Sequence, residues 1–238
     1  MREIKVSIIT VCYNSEKTIE RTIKSVLNQT YKNIEYIIID GKSSDATIDM
    51  IKKYESEFGN RMKWVSEKDD GIYYAMNKGI DLATGELIGI INSDDFYEED
   101  AVEKIVEAYG EEEYQIIYGM VRQLRNSVED CVSIYSHHFL RDRMICHPGC
   151  FVSKNIYEKY GRFNTEYISA ADYDFMLRMN QHQDVVFKPV YSIISNFEQG
   201  GVSSSKKGRL DKLRLEYNWG KITKKRYLLS KGRIVLGI

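Results

Sequence analysis

Two glycine-rich phosphate-binding motifs are absent from this sequence of 238 residues. It contains neither GxGxxG after a predicted strand nor GxxxxGK[ST], which disfavours a dinucleotide-dependent dehydrogenase and a P-loop ATPase. The longest apolar runs, such as residues 6–11, are strand-sized and fall well short of the roughly 18 residues that cross a bilayer. We therefore predict no transmembrane helix. Because no small-residue cleavage site follows the N-terminus, we expect a cytoplasmic protein.

Cysteine and proline are also scarce, and neither charge sign dominates. The four cysteines lack the paired CxxC spacing of a structural zinc site, so we expect free thiols. A metal cluster at Cys146, His147 and Cys150 is a minor alternative. The two prolines and the absence of a low-complexity linker before residue 200 indicate one continuous domain. A formal net charge of -1 argues against a protein that coats nucleic acid.

Apolar β-branched runs alternate with amphipathic stretches through the first 120 residues. This alternation predicts β-α-β units around a mostly parallel sheet, and hence an α/β fold. Strands are predicted at residues 5–12, 34–39, 62–65, 87–91 and 116–118. Helices are predicted at residues 16–28, 45–58, 72–84 and 99–109, with N-caps at Ser15 and Ser44 and stop signals at Gly59 and Gly85. Residues 120–136 alternate without a long helix before a helix at residues 171–181, so this part is α+β in character.

Polar and acidic residues follow the predicted strands of the first half. In an open α/β sheet, ligands gather at the carboxyl ends of the strands. The segment Asn92-Ser93-Asp94-Asp95 brings two neighbouring carboxylates to the tip of an apolar strand. Divalent cations that bind phosphates use such oxygens as ligands. The alternative is that Asp94 and Asp95 cap the helix that follows.

Several long segments, in this order, resemble the family 2 glycosyltransferases, and the similarity spans about residues 4 to 205. The segments are residues 6–14, 25–31, 38–45, 71–79 and 92–95. The resemblance implies a GT-A fold, with a nucleotide-sugar-binding half at residues 1–120 continuous with an acceptor-side half at residues 121–205. It also implies an inverting enzyme of polysaccharide biosynthesis that uses Mn²⁺ or Mg²⁺. Such enzymes move a sugar from a nucleotide-diphosphate sugar, most commonly UDP-linked, to a hydroxyl of a glycan or lipid-linked acceptor.

The resemblance assigns roles to individual residues of the first half. The ring of Tyr13 is expected to lie against the nucleobase, Asp40 to contact the base or ribose, and Asp69 to line the same pocket. Asp94 is expected to contact the ribose, and Asp95 to bind the metal ion. Two of these assignments have structural alternatives: Tyr13 packs on the first helix, or Asp40 closes an Asx turn.

The second half resembles the acceptor side of the same family. There an acidic residue at the start of a helix is the general base, and Asp172 has that place. Asp174 competes with it but points about 200° away on a helix, and the alternative for both is stabilisation of the helix dipole. His147 is expected to contact the diphosphate or the acceptor, with a structural histidine as the alternative. Residues 200–203, Gly-Gly-Val-Ser, resemble a loop near the active site, with a linker turn as the alternative.

The segment from residue 206 onward differs from the rest in charge. Eleven basic residues face only Asp211 and Glu216, and apolar and aromatic residues are interleaved among them. We expect a basic helical extension, residues 206–238, made of two short helices. These helices either dock on the inner face of an anionic membrane or pack on the catalytic domain.

Two other functions are compatible with an α/β fold. One is a catalytically inactive module that binds a sugar nucleotide or a glycan, but the carboxylates at positions 94, 95 and 172 argue against it. The other is a sugar nucleotidyltransferase, which should carry a Gly-rich, Arg-containing loop after the first strand. Residues 13–17 occupy that place with the sequence Tyr-Asn-Ser-Glu-Lys. The sequence predicts no oligomeric state.

Overall fold

The computed structural model describes residues 3–201 and 205–237. Within them, one mixed sheet has the strand order β3-β2-β1-β4-β8-β6-β9-β5, and β7 pairs with β6. The strands are β1 (Val6–Cys12), β2 (Ile34–Asp40), β3 (Met62–Ser66), β4 (Leu87–Ile90), β5 (Phe96–Tyr97), β6 (Gln115–Arg125), β7 (Val128–Ser133), β8 (Cys150–Ser153) and β9 (Val186–Glu198). The helices are α1 (Ile19–Leu27), α2 (Thr47–Phe58), α3 (Ile72–Leu82), α4 (Ala101–Ala108), α5 (Lys154–Tyr160), α6 (Ala171–Met179), α7 (Lys206–Asn218) and α8 (Lys224–Leu236).

Strands β1 to β4 form the parallel half of the sheet. Their near-continuous apolar sequence fits burial on both faces: Ile8 belongs to the core cluster with α1, α2 and α4, and Ile9 to the cluster with α3. Helix α3 crosses β1 closely at Gly79, where an added Cβ would lie 2.5 Å from Cγ2 of Ile9. This close approach fixes α3 beside the carboxyl ends of β1 and β2.

The predicted strands and helices of the first half are confirmed, but two of the predicted caps are wrong. Helix α1 begins at Ile19, and the carbonyl of Ser15, not its side chain, accepts the first N–H groups. At α2, Oδ1 of Asp45, not Ser44, accepts the N–H of Thr47 at 3.1 Å. Gly59, with φ of 55°, ends α2 as predicted.

Strands β1 to β4 confirm the mostly parallel sheet expected for the first half, and the second half, expected to be α+β, is mixed. Strand β8 runs antiparallel between β4 and β6, and β6 pairs in parallel with β9. The sequence predicted only residues 116–118 of β6 and missed β5, β8, β9 and α5. Strand β9 is largely half-buried, and polar residues interrupt its apolar ones. It therefore has no long apolar run that would reveal it in the sequence.

The two predicted C-terminal helices are present, and α7 packs on the acceptor-side half. Asp211 of α7 is buried, and its Oδ2 accepts the backbone N–H groups of Ile168 and Ser169, each at 2.8 Å. Packing on the domain is therefore confirmed for α7. Across residues 3–201 and 205–237, none of the helices combines the length and the apolar character needed to span a bilayer.

Candidate active site

The carboxyl ends of β1 and β2 place Tyr13 beside Gly41. These strands pair in parallel register, with Cys12 opposite Asp40, so the residues that follow them meet at one edge of the sheet. An added Cβ at Gly41 would lie 3.4 Å from Cδ2 of Tyr13, so the ring borders this turn. The side chain of Tyr13 is 64% exposed, which does not fit the alternative of packing on α1. The site thus presents a free aromatic face.

Asp40 is buried and its carboxylate is bonded inside the protein. Oδ2 accepts the N–H of Ser43 at 2.9 Å and the hydroxyl of Ser66 at 2.6 Å, and Oδ1 accepts the hydroxyl of Ser43. These bonds correspond to the turn-closing alternative. Asp40 therefore shapes the loop that carries Gly41, and its contact with a nucleotide stays a prediction.

Asp94 and Asp95 follow β4 but differ sharply in environment. Asp95 is fully buried, and its Oδ1 accepts the N–H of Glu198 at 2.9 Å. Burial, followed by the charge of Asp94, raises the pKa of Asp95 well above its usual range. Asp94 is half-buried, and burial raises its pKa too, with a contribution from Glu198. Helix α4 begins at Ala101, so the alternative that the two carboxylates cap it is wrong.

Two buried oxygens near this acidic pair lack hydrogen bonds. Oδ1 of Asn92 and Oε2 of Glu198 have no hydrogen-bond partner in the part of the chain that the structure describes, although Nη2 of Arg21 lies 3.8 Å from Oε2 of Glu198 in an ion pair. Buried oxygens without partners cost free energy, and hard cations take such oxygens as ligands. The described residues contain no group of three or more metal-binding side chains. A cation bound through one or two carboxylates and substrate phosphates needs no such group.

Asp172 lies in the first turn of α6 and is held by α3. Its Oδ1 accepts the hydroxyl of Tyr73 at 2.9 Å and the N–H of Tyr173 at 3.0 Å. Burial raises the pKa of Asp172, while the charge of His147 and the hydrogen bond from Tyr73 lower it. A carboxylate with a raised pKa is a stronger base than an exposed aspartate, which suits proton transfer from a hydroxyl.

His147 is buried beside this carboxylate. Its ring lies edge-on to Phe163, with centroids 5.6 Å apart. Burial lowers the pKa of His147, and the charge of Asp172 opposes that shift. The neighbouring residue, Cys146, lies near both Asp95 and Asp172. Burial, followed by the charges of these two carboxylates, raises the pKa of its thiol to about 12. The acidic pair and Asp172 therefore both lie near residues 146 and 147.

Asp174 points to the opposite side of α6, as the helical geometry predicts. It is buried, and both of its oxygens are bonded: Oδ2 to Nε of Arg178 and Oδ1 to Nε1 of Trp219, each at 3.0 Å. The carboxylate therefore has no free oxygen with which to accept a substrate proton. Asp174 anchors the C-terminal helices to α6.

Comparison with known proteins shows the family of the chain. The family model described as Glycosyl transferase family 2 matches residues 7–179, which is more than half of the chain. The chain belongs to glycosyl transferase family 2. The family lies outside the sugar nucleotidyltransferases, so that alternative is wrong.

The chain is similar to curated glycosyltransferases and to solved structures of the same fold. A PGL/p-HBAD biosynthesis glycosyltransferase of Mycobacterium bovis is 28% identical over 202 residues, which cover 84% of this chain and 79% of the relative. S. aureus TarS 1-349, solved in complex with UDP-GlcNAc, has a TM-score of 0.71 at 17% identity and covers 89% of this chain. The chain spans 65% of that TarS structure.

The mannosyltransferase PcManGT of Pyrobaculum calidifontis, solved with GDP-Man and Mn²⁺, has a TM-score of 0.68 at 15% identity. The similarity covers 98% of this chain and 70% of the PcManGT chain. At these identities the two solved structures show the fold alone, which is the GT-A fold that the sequence predicted.

Three further side chains of this family 2 site were not predicted. Tyr73 and Lys78 both lie on α3, within the segment of residues 71–79 that helped to identify the family. Lys78 binds Oδ1 of Asp69 at 2.8 Å, and the other oxygen of Asp69 is buried without a hydrogen-bond partner among the described residues. The third is Glu198, at the end of β9, a strand that the sequence did not reveal.

Two remaining sequence expectations have different outcomes. All four cysteines are free thiols, as expected, and no metal cluster forms at residues 146–150 within the described ranges. In the expected active-site loop, residues 202 and 203 lie outside the described residues. Gly200 is described and has φ of +111°, a conformation that favours glycine.

Proposed function

We propose that this family 2 enzyme is an inverting, metal-dependent glycosyltransferase. It would move a sugar from a nucleotide-diphosphate sugar, with UDP as the expected nucleotide, to a hydroxyl of a glycan or lipid-linked acceptor on the cytoplasmic side. The observation that carries the proposal is that Asp95 of the acidic pair and Asp172 both lie near Cys146, since the charge of each raises the pKa of that thiol. Half-buried Asp94 lies next to Asp95, and Tyr73 holds Asp172 through a hydrogen bond of 2.9 Å.

The donor end combines an aromatic platform with acidic groups. The exposed ring of Tyr13 offers a face on which a base can stack, a contact that contributes about 1–3 kcal/mol in nucleic-acid complexes. Asp69 would line the same nucleotide pocket, where an ion pair with Lys78 holds its carboxylate. The solved relatives bind UDP-GlcNAc in one case and GDP-Man with Mn²⁺ in the other, which supports a nucleotide-sugar donor.

The bound cation is assigned to Asp94 rather than to Asp95. Full burial and the hydrogen bond to the N–H of Glu198 leave Asp95 poorly placed to reach a diphosphate, whereas Asp94 is half-buried. Asp95 then ties the end of β9 to the loop after β4. When bound, Mn²⁺ or Mg²⁺ would neutralise the charge that develops on the leaving diphosphate. The buried Oδ1 of Asn92, which has no hydrogen-bond partner among the described residues, fits an environment that favours a cation.

Asp172 is the proposed general base. An acceptor hydroxyl is a weak nucleophile near pH 7, so a carboxylate on the far face of the sugar must accept its proton as attack proceeds. Tyr73 donates to Oδ1 and holds the carboxylate in place, and His147, buried near Asp172, is the residue proposed to contact the diphosphate or the acceptor. A single displacement of this kind inverts the anomeric centre.

A donor panel with water as the acceptor tests the proposal without knowledge of the natural acceptor. The enzyme is incubated with UDP, GDP and dTDP sugars in Mn²⁺ or Mg²⁺, and release of the nucleoside diphosphate is measured. We expect slow hydrolysis of UDP sugars that EDTA abolishes. Binding of donors without any release would indicate an inactive binding module. Equal release with and without EDTA would overturn the metal requirement.

A further inference from the structure

Helix α8 presents an unusual exposed surface. Its 13 residues contain five basic side chains and no acidic one, and none of its side chains is buried. Four of its apolar side chains are at least half exposed: Leu228 (56%), Leu229 (61%), Val235 (50%) and Leu236 (73%). Exposed apolar side chains in a cluster mark an interaction surface more often than isolated ones do.

The exposed apolar residues share one side of α8. At 100° per residue, Val235, Leu228, Leu236 and Leu229 fall within an arc of about 120°. We call these four residues the outer strip. Tyr227 and Ile234, both half-buried, lie on the opposite side of the helix, where Tyr227 stacks on Tyr217 of α7 with centroids 4.8 Å apart.

Four of the five basic residues border the outer strip along its two edges. The same helical geometry places Lys224 and Lys231 beside one edge and Arg226 and Arg233 beside the other, while Lys225 lies within the arc of the strip, in the first turn of the helix. An apolar stripe between two rows of cations is the pattern of a helix that lies in the plane of a membrane interface. At about 1.5 Å per residue, α8 is roughly 20 Å long, which is too short to span the hydrocarbon core.

We propose that the outer strip of α8 docks on the surface of an anionic membrane. The apolar side chains would enter the boundary between headgroups and acyl chains, while the flanking cations would contact anionic headgroups. A second copy of this chain is a poorer occupant, because two such faces would bring five cations from each helix together without any acid on either.

Docking of α8 would orient the catalytic domain, because α7 connects α8 firmly to α6. Nζ of Lys206 in α7 donates to the carbonyl of Val235 at 2.7 Å. Beyond the end of α7, Trp219 donates to Asp174 of α6 at 3.0 Å. Asp172 would therefore lie at a fixed height above the membrane. This consequence rests on the proposed function, whereas the docking itself does not.

Vesicle co-sedimentation of the full chain tests the docking. The vesicles are phosphatidylcholine alone or phosphatidylcholine with phosphatidylglycerol, at low and at high salt. A variant with Leu228→Ser and Leu229→Ser removes half of the outer strip. The matched control carries Val128→Ser and Tyr191→Ser, which change exposed apolar residues of β7 and β9.

We expect the full chain and the control to bind the anionic vesicles at low salt, and the α8 variant to bind at least tenfold more weakly. Neutral vesicles and high salt should each reduce binding of the full chain at least tenfold. Melting temperature and UDP-sugar hydrolysis should be the same in all three proteins. If the melting temperature of the α8 variant falls, a second variant with Arg226→Glu and Lys231→Glu should show the same loss of binding.

Three results would overturn the docking. One is a full chain that stays in the supernatant with anionic vesicles at low salt. Another is an α8 variant that binds as well as the full chain does. The third is a dimer in sedimentation velocity that the leucine substitutions convert to a monomer while vesicle binding is absent, since the outer strip would then be a self-association surface. Hydrolysis of UDP sugars is measured in the same samples, so loss of docking is distinguished from failure of the proposed chemistry.

Discussion

Tyr73 of α3 donates its phenolic hydrogen to Oδ1 of Asp172 of α6 at 2.9 Å. The two residues are 99 positions apart in the sequence, so the bond joins the nucleotide-binding half to the acceptor-side half. A hydrogen bond to the charged form stabilises that form, while burial destabilises it. The basicity of Asp172 is therefore set by a balance to which α3 contributes.

Removal of the Tyr73 hydroxyl should change the pH dependence of the reaction. The base acts in its ionised form, so kcat/KM falls as pH drops through the pKa of Asp172. In Tyr73→Phe the hydrogen bond that lowers this pKa is lost, so the acidic limb of the profile should move to higher pH. On that limb we expect a rate about three- to tenfold below the wild type, and a rate close to the wild type at high pH.

The control for this profile is Tyr36→Phe. The Tyr36 hydroxyl is also buried and hydrogen-bonded, to Thr10 at 3.0 Å, but it belongs to the core cluster on the other face of the sheet. The control should lose stability without moving the acidic limb. A Tyr73→Phe profile that is unchanged, or that moves to lower pH, would show that Tyr73 does not tune the base.

The two neighbouring carboxylates should respond differently to amide substitution. Calorimetry of UDP binding in Mn²⁺ should show a loss of at least tenfold in affinity for Asp94→Asn, because a charged oxygen ligand is removed. Asp95→Asn should keep affinity within a few fold. Asp95 is fully buried and its Oδ1 accepts the N–H of Glu198, a hydrogen bond that an amide oxygen can also accept, so the substitution should leave the site in place. The reverse pattern would return the metal to Asp95, as the sequence resemblance implied.

Glu35 should contribute to stability at neutral pH. Burial raises the pKa of Glu35, but hydrogen bonds from Ser7 and Thr84 outweigh it and lower the pKa to about 2. Since the folded pKa lies below the unfolded value of 4.5, the contribution is complete above pH 4.5 and is lost as pH falls toward 2. The shift corresponds to up to about 3 kcal/mol.

Denaturant unfolding at several pH values measures this contribution. Glu35→Gln should lower the free energy of unfolding near pH 7 by up to about 3 kcal/mol, and its difference from the wild type should shrink as the pH is lowered. The exposed Glu57→Gln should differ little from the wild type at any pH. If Glu35→Gln lowers the free energy of unfolding by the same amount at every pH, the ionisation of Glu35 does not stabilise the fold.

The first half of the fold was predictable because its signals are local. A parallel strand covered on both faces, such as β1, reads as a continuous apolar run, and α1 and α2 show helical spacing. Strand β9 has no such run, because polar side chains occupy much of it and it is largely half-buried. Its place beside β6 comes from tertiary pairing, which neither periodicity nor composition reveals.

The site was predictable in its residue types but not in its contacts. Helical geometry correctly separated Asp174 from Asp172, yet the bond from Trp219 that occupies Asp174 comes from 45 residues further along the chain. Similarly, the turn-closing alternative for Asp40 was visible in the sequence, but its bond to Ser66 depends on the neighbouring strand β3. Asp94 is half-buried whereas Asp95 is fully buried. Because the two are adjacent residues of the same type, the sequence does not indicate which of them is the more exposed.

The most direct test of the catalytic assignment compares Asp172→Asn with Asp174→Asn, with UDP release from a UDP sugar and UDP affinity measured for each. Asp172→Asn should lose about 10²- to 10⁴-fold in turnover, as expected for removal of a general base. Its UDP affinity should stay within a few fold, because the base acts on the acceptor.

Asp174→Asn should melt at a lower temperature, since its ion pair with Arg178 is lost, but should keep turnover within about tenfold. The Asp172 variant should thus be inactive and bind UDP, while the Asp174 variant should be active and less stable. An Asp172→Asn enzyme with near wild-type turnover, beside an inactive Asp174→Asn enzyme that binds UDP normally, would contradict the assignment of Asp172 as the base.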